Sequence, residues 1–249
     1  MHNGLYTHSQ YTFENTLHLA LSKDLLMSTW KNLDDYQAYL FDLDGTLIDT
    51  TADIAMAINH VRQVLQLSTL SQDQVAQGIG NGATYLLQHC FPDHSQQDIV
   101  TLREQFIDYY ESHLCVHTRP YPNADQCLKQ LKQQHKKVAL VTNKPFHLTQ
   151  PLLDHLQWND YFDSVIGGDS LHHKKPHPLP ITETLSRLQV DADQALFIGD
   201  TEVDAEASQR AGVMMVAIPY GRVCDDIQAG RWASHARIAT LDQLVRHGM

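Results

Sequence analysis

A chain of 249 residues, 43% of them hydrophobic, is long enough to bury a sizeable core, either as one large α/β domain or as a core with a smaller insert. Its 18 Lys and Arg against 29 Asp and Glu leave a formal charge of −11, to which 16 histidines with an ordinary pKa of ~6.5 add back only roughly +4. That acidity, uninterrupted by any basic run, argues against general binding to nucleic acid or to an anionic membrane, so a basic residue that serves an anion must be placed locally.

In chain order, Phe13, Leu17, Leu21 and Leu25 recur every four residues and predict an amphipathic helix within an N-terminal extension over 1–37. The stretch 17–27 is broken by His18, Lys23 and Asp24 and lacks a basic leader, so it reads as neither signal peptide nor membrane span. Tyr39-Leu40-Phe41 predicts the first buried strand. Apolar residues at helical spacing follow over 51–67, 83–89 and 99–114, an all-helical stretch that ends at Arg119-Pro120-Tyr121-Pro122, where two prolines force an extended connection. Helix and strand then alternate, with helices over 124–134, 148–156, 179–188 and 203–211 and strands over 138–141, 164–166, 195–198 and 213–218. Short β-rich runs separated by helices predict an α/β fold whose Rossmann-like core is a doubly wound parallel sheet. Cys90, Cys115, Cys127 and Cys224 form no C-x-x-C pair or short-spaced framework, which predicts reduced thiols and a cytoplasmic protein.

In such sheets ligands collect beyond the carboxyl ends of the strands. The residues expected there are Asp42 and Asp44, then Thr142-Asn143-Lys144, then Gly167-Gly168-Asp169 leading to Lys174-Lys175-Pro176, then Gly199-Asp200 with Asp204 one turn on. Asp42 and Asp44 stand one residue apart, so in an extended segment they point to the same side and converge on one ligand. Gly45 lets the chain turn directly afterwards. Two carboxylates so close call for a bound cation or a shared proton.

The chemistry these residues permit is hydrolysis of a phosphate monoester, in which positioning and charge neutralisation carry most of the acceleration. Asp42 is the expected nucleophile and a metal ligand. Asp44 is the expected general acid and then base, with its backbone carbonyl also facing the metal. Thr142 would bind phosphoryl oxygens and Lys175 would offset the charge of nucleophile and phosphate. Asp200 would complete the metal site, with Asp204 ligating or orienting a metal-bound water. Oxygen ligands without a histidine or thiolate cluster favour Mg²⁺. Gly45, Thr46 and Asn143 are candidate substrate contacts. Lys144 is a candidate partner for a substrate carboxylate, and Gly80-Asn81-Gly82 is either a loop closing over the substrate or only the start of a helix. The histidines of His172-His173-Lys174-Lys175-Pro176-His177 read as solvent-exposed loop residues rather than metal ligands.

These motifs resemble those of the haloacid dehalogenase superfamily of phosphohydrolases, with 42–47 as the first, Thr142 in the second, Lys175 in the third and Gly199-Asp200…Asp204 in the fourth. The resemblance spans about 38–244. Ile79-Gly80-Asn81-Gly82-Ala83, Val141-Thr142-Asn143-Lys144-Pro145, Val165-Ile166-Gly167-Gly168-Asp169 and Lys174-Lys175-Pro176-His177-Pro178 make it similar to bacterial phosphoglycolate phosphatases. It implies a five-strand core over 38–52 and 121–249, a helical cap over 53–120, Mg²⁺ dependence, and hydrolysis of 2-phosphoglycolate to glycolate and phosphate by a monomer or homodimer. Thr201 and Leu179 are small departures, and the segment 1–37 is longer than the usual leader. The alternatives are a phosphatase of another small phosphate ester or sugar phosphate, a phosphomutase on this scaffold, and a non-catalytic phospho-ligand binding module. A dehalogenase is disfavoured, because displacement at carbon does not need Asp44.

Overall fold

The first strand, β1 (Ala38–Phe41), is buried at every position, as a strand with parallel neighbours on both sides must be. In this computed structural model, which describes residues 33–218, 220 and 236–245, β1 pairs with β4 (Lys137–Val141) on one side and β6 (Ala195–Gly199) on the other. Outward from these lie β5 (Ser164–Ile166), beside β4, and β7 (Met214–Ala217) with β8 (Ala236–Arg237), beside β6. All five pairings are parallel, in the order β5-β4-β1-β6-β7-β8. Because the chain moves outward from β1 in both directions, the strand order reverses beside it, and the crevice beyond its carboxyl end is the place for a ligand.

The sheet therefore has six strands rather than the expected five. The sixth, β8, is a two-residue edge segment without an apolar run, so no periodicity marks it in the sequence. The helix expected within 1–37 lies outside the described residues.

The return segment Arg119–Pro120 (β3) pairs antiparallel with Ile48–Asp49 (β2), a ribbon the sequence reading did not distinguish from loop. Between the two lie four helices, α1 (Thr51–Val64), α2 (Gln72–Ala76), α3 (Ala83–Cys90) and α4 (Gln96–Ser112). Helix α1 stops at Val64, three residues before its expected end. Val64 is 61% exposed, and Gln66 takes a left-handed φ of 57° that closes the turn. Helix α4 starts three residues earlier than expected, since Ser95 and Asp98 form a capping box. Ile58, Val61, Leu87, Phe91 and Phe106 form the core of this helical insert, which also takes in Leu148. Its base is tied by Asp53, whose buried carboxylate accepts bonds from the N–H groups of His117 and Thr118, at 2.8 and 2.9 Å, and from Thr118 Oγ1 at 2.7 Å.

The remaining helices are α5 (Ala124–Gln133), α6 (Phe146–Leu156), α7 (Leu179–Leu188) and α8 (Glu202–Ala211). Ile181 and Leu185 of α7 and Ala207 of α8 pack on Leu40, Val141 and Phe197, one face of the sheet. The alternate side chains Tyr39, Phe41, Leu140 and Ile198 are equally buried, and α5 packs against β4. Both faces are covered, which accounts for the continuous apolar runs of the central strands.

Candidate active site

The chain leaves β1 at Phe41, and the N–H of Asp42 donates to Ile198 O at 3.0 Å, extending the ladder by one residue. The segment then turns, with Thr46 N–H donating to Leu43 O and Gly45 N–H to Ile48 O. The alternation of an extended strand does not persist through this turn, and the carboxylates of Asp42 and Asp44 engage different neighbours.

Asp42, 3% exposed, accepts a bond from Lys175 Nζ at 2.9 Å. The same ammonium donates to Asp204 Oδ1 at 2.7 Å and lies 5.1 Å from the centre of the Phe197 ring. The other oxygen of Asp204 accepts from Thr201 N–H and Oγ1, the capping box that starts α8, so the helix start itself orients this carboxylate. Asp200 accepts from Thr46 Oγ1 at 3.1 Å. Asp42, Asp200 and Asp204 are all buried, and each brings one oxygen within 4.8 Å of the other two. Two glycines make room for this trio. Gly45 has φ +92°, and a Cβ there would fall 2.3 Å from Asp200 Oδ2; a Cβ on Gly199 would fall 2.7 Å from the Asp204 carboxyl.

Burial pushes the Asp42 carboxyl up from 3.8 to about 7; Lys175 opposes this, and the charges of Asp204 and then Asp44 add to it. Lys175 is held above its ordinary pKa, since Asp204 and Asp42 outweigh the burial that works against its charge. Asp44 pairs with a different ammonium. Its Oδ1 accepts from Thr50 Oγ1 at 2.7 Å, and both its oxygens accept from Lys144 Nζ, at 3.1 and 3.2 Å. Lys144 is 7% exposed, and its ammonium also donates to Tyr110 Oη at 3.0 Å. Burial acts against the Lys144 charge, and Asp44 and then Tyr110 more than compensate, raising its pKa.

The site thus gathers four buried carboxylates, Asp42, Asp44, Asp200 and Asp204, and two buried ammonium groups, Lys144, which pairs with Asp44, and Lys175, which pairs with Asp42 and Asp204. With all six ionised the site is two negative charges in excess. The donors of the trio are carboxylate oxygens alone, without thiolate or imidazole. That donor set and that charge fit a hard divalent cation such as Mg²⁺.

Thr142, Asn143 and Lys144 follow β4 directly, and with Asp42 and Asp44 they line one side of a cavity. The helical insert supplies much of the other side, through Ile54, Ile79, Leu86, Phe106 and Tyr110. Thr142 Oγ1 accepts from Lys144 N–H at 3.2 Å. Asn143 Nδ2 donates to Lys175 O at 3.0 Å and to Gly80 O at 3.2 Å, which leaves its buried Oδ1 without a partner. Lys174 Nζ donates to Asn81 O at 3.1 Å, so the 80–82 loop of the insert is seated on two loops of the core. The fold thus brings together Asp42, Asp44, Gly45, Thr46, Thr142, Asn143, Lys144, Lys175, Asp200, Asp204 and Gly80, with Asn81 beside them through its carbonyl. The rings of His173 and His177 stack at 4.0 Å in the exposed loop, and neither joins the acidic trio. Thr50 and Tyr110, both buried at Asp44 and Lys144, were not singled out in the sequence. Tyr110 carries a signal only in hindsight, as the polar end of the Phe106–Tyr110 stripe on α4.

Residues 39–218 match the haloacid dehalogenase-like hydrolase family. The chain is 39% identical over 184 residues to a phosphoglycolate phosphatase of Aquifex aeolicus (strain VF5), covering 74% of this chain and 85% of that relative. It is 34% identical over 199 residues to a phosphoglycolate phosphatase of Colwellia psychrerythraea, covering 76% and 87%. Among solved structures it is similar to a predicted phosphoglycolate phosphatase from Haemophilus somnus 129pt, with a TM-score of 0.77 and 29% identity over 85% of this chain and 97% of that one. With its parallel sheet, its acidic trio at the strand ends and these relatives, the chain belongs to the haloacid dehalogenase-like hydrolase family.

Proposed function

We propose that this chain, a phosphoric monoester hydrolase, is a Mg²⁺-dependent phosphatase that converts 2-phosphoglycolate to glycolate and phosphate through an aspartyl phosphate on Asp42. The observation that carries the reading is the buried trio of Asp42, Asp200 and Asp204 beside Lys175, in a family whose curated relatives named above are phosphoglycolate phosphatases. Mg²⁺ held by Asp42 and Asp200, with Asp204 as ligand or orienting group, supplies the positive charge that lets an anionic carboxylate meet an anionic phosphate.

The residues of the chain carry the other roles. A carboxylate oxygen of Asp42 attacks phosphorus as the bond from phosphorus to the glycolate oxygen breaks. Asp44 gives its proton to that leaving oxygen, then takes a proton from the water that attacks phosphorus and releases Asp42. Thr50 and Lys144 hold the Asp44 carboxyl at the cavity. Lys175 offsets the charge on Asp42 and on the phosphoryl group, and the Thr142 hydroxyl, the Thr46–Gly45 turn and the side chain of Asn143 orient the substrate. The insert over 53–120 acts as a cap, whose 80–82 loop and apolar wall exclude water from the reacting groups. Among the described residues no helix is long and apolar enough to cross a membrane. We place the enzyme in the cytoplasm, as a monomer or homodimer acting on a free small molecule.

A panel of phosphate esters assayed for phosphate release with Mg²⁺ tests this reading. The expected result is the highest kcat/KM on 2-phosphoglycolate. Preference for a sugar phosphate or another small ester would overturn the substrate, and transfer of the phosphate to a second sugar hydroxyl would make the protein a mutase.

A further inference from the structure

In 2-phosphoglycolate the carboxyl carbon stands two bonds from the ester oxygen, so the groups that hold the acid must lie close to the carboxyl of Asp44, which protonates that oxygen. Of the residues that line the cavity, Thr142, Asn143, Lys144 and Tyr110 carry side-chain donors. Thr142 is placed at the phosphoryl group in the mechanism above, and Asn143 spends its Nδ2 on the carbonyls of Lys175 and Gly80. Thr50 also reaches Asp44, but it is not among the residues that line the cavity. Lys144 and Tyr110 are left. Lys144 Nζ lies 3.1 Å from Asp44 Oδ1 and 3.0 Å from Tyr110 Oη, so the pair stands beside the acid at the wall that all three residues line.

The pair has a donor to spare. Tyr110 Oη accepts from Lys144, and among the described residues no group accepts the phenolic proton in return. Burial pushes the Tyr110 phenol up from 10.0 to about 12 against the opposing charge of Lys144, so at neutral pH it keeps that proton. The ring is held in place: it is 1% exposed, stacks on Phe106 at 5.7 Å and has Lys144 Nζ 4.7 Å from its centre. A buried O–H without an acceptor is unfavourable, and a carboxylate oxygen entering the cavity satisfies it. The neighbouring wall of Ile54, Ile79, Leu86 and Phe106 brings no competing acceptor, and in such apolar surroundings a charge-assisted bond is strengthened.

We propose that Lys144 and Tyr110 together form the carboxylate subsite of the cavity, with Lys144 supplying the charge and the Tyr110 hydroxyl the bond that selects an acidic substituent over a neutral one. The proposal rests on the phosphoglycolate reading for the identity of the ester, and it adds a binding role for Tyr110 that the reading does not require. Lys144 belongs to the core loop after β4 and Tyr110 to α4 of the insert, so the acid group of the substrate is read across the seam between core and insert. Because Lys144 also holds Asp44, one ammonium sets the acid group beside the ester oxygen that Asp44 protonates.

The test is Tyr110→Phe in the full chain, which removes the hydroxyl and keeps the ring against Phe106. The intact enzyme and the variant are each assayed with Mg²⁺ on 2-phosphoglycolate and on 2-hydroxyethyl phosphate, which has a hydroxymethyl group in place of the carboxylate. A hydrogen bond to a charged group commonly contributes about tenfold in affinity. The ratio of kcat/KM for the acidic over the neutral ester is expected to fall about tenfold in the variant, through KM. Inhibition by 3-phosphonopropionate, which keeps both acid groups and cannot be hydrolysed, gives a readout apart from turnover: it should weaken about tenfold, while inhibition by inorganic phosphate stays as it was. A ratio that does not move, or equal losses for phosphonopropionate and phosphate, would overturn the subsite and leave Tyr110 as a support for Lys144. Preference of the intact enzyme for a different acidic ester, with a ratio that still depends on Tyr110, would overturn the phosphoglycolate reading and sustain the subsite. Preference for 2-phosphoglycolate with a ratio indifferent to Tyr110→Phe would do the reverse, and an intact enzyme that favours no acidic ester over its neutral analogue would overturn the subsite.

Discussion

Replacing Asp42 with Asn is predicted to end turnover and, in metal-free buffer at neutral pH, to make the protein more stable. In the folded protein the Asp42 carboxyl is raised from 3.8 to about 7, chiefly by burial, so between those values the native state keeps a proton that the unfolded chain has released. Stability from this group is therefore present below pH ~4, declines as pH rises, and is gone above pH ~7. At roughly 1.4 kcal/mol per pH unit, the interval sets a ceiling of ~4 kcal/mol on the cost of ionising Asp42 in place. Asparagine does not ionise, and its carbonyl oxygen still accepts from Lys175 Nζ, so Asp42→Asn should gain about 2 to 4 kcal/mol at pH 8 and less than ~1 kcal/mol at pH 4.5. Urea unfolding with EDTA at the two pH values measures the difference. Saturating Mg²⁺ should shrink or reverse the gain at pH 8, because the cation binds the native site with Asp42 and stabilises it by mass action. An equal effect at both pH values, or a loss at pH 8, would refute the charge balance drawn for the site.

Gly45→Ala strains a backbone at φ +92° and drives a methyl group to within 2.3 Å of Asp200 Oδ2, so the Mg²⁺ concentration for half-maximal activity should rise at least about tenfold; titration of activity against Mg²⁺ reads it, and an unchanged midpoint would contradict the placement of Asp200. Asp53→Asn replaces an acceptor of three bonds at the base of the insert with a group that must turn an N–H₂ toward a donor, for an expected loss of about 2 to 3 kcal/mol in urea unfolding; less than ~0.5 kcal/mol would show that the tie is unimportant. Asp44→Asn should slow an alkyl ester about 10²-fold or more, but p-nitrophenyl phosphate, whose leaving group needs no proton, much less in a single turnover. Equal single-turnover losses on the two would remove Asp44 from the role of acid.

The central strands were legible because parallel strands buried on both faces leave uninterrupted apolar runs, as in Ala195-Leu196-Phe197-Ile198, and because each ends at a residue whose chemistry is out of place in a core. The two-residue strands β2, β3 and β8 carry no period and could not be read. The five-residue helix α2 was missed for the same reason, although Ser71 and Gln74 spell the capping box that starts it. Spacing put Asp42 and Asp44 at the end of β1 and predicted that they converge, but the turn at Gly45 gives each carboxylate different neighbours. What the sequence could not convey is pairing at long range. The burial of Lys144 against Asp44 and Tyr110, and the bond from Lys174 to Asn81 O, depend on how the insert seats on the core.

The central claim is that Asp42 takes the phosphoryl group while a divalent cation is held by the acidic trio. A crystal structure with Mg²⁺ and beryllium fluoride, a mimic of the phosphoryl group, tests it most directly. The account predicts the fluoride adduct on a carboxylate oxygen of Asp42, with one Mg²⁺ at roughly 2.1 Å from oxygens of Asp42 and Asp200. An adduct on Asp44 or on any other residue, or a metal bound away from the trio, would contradict it.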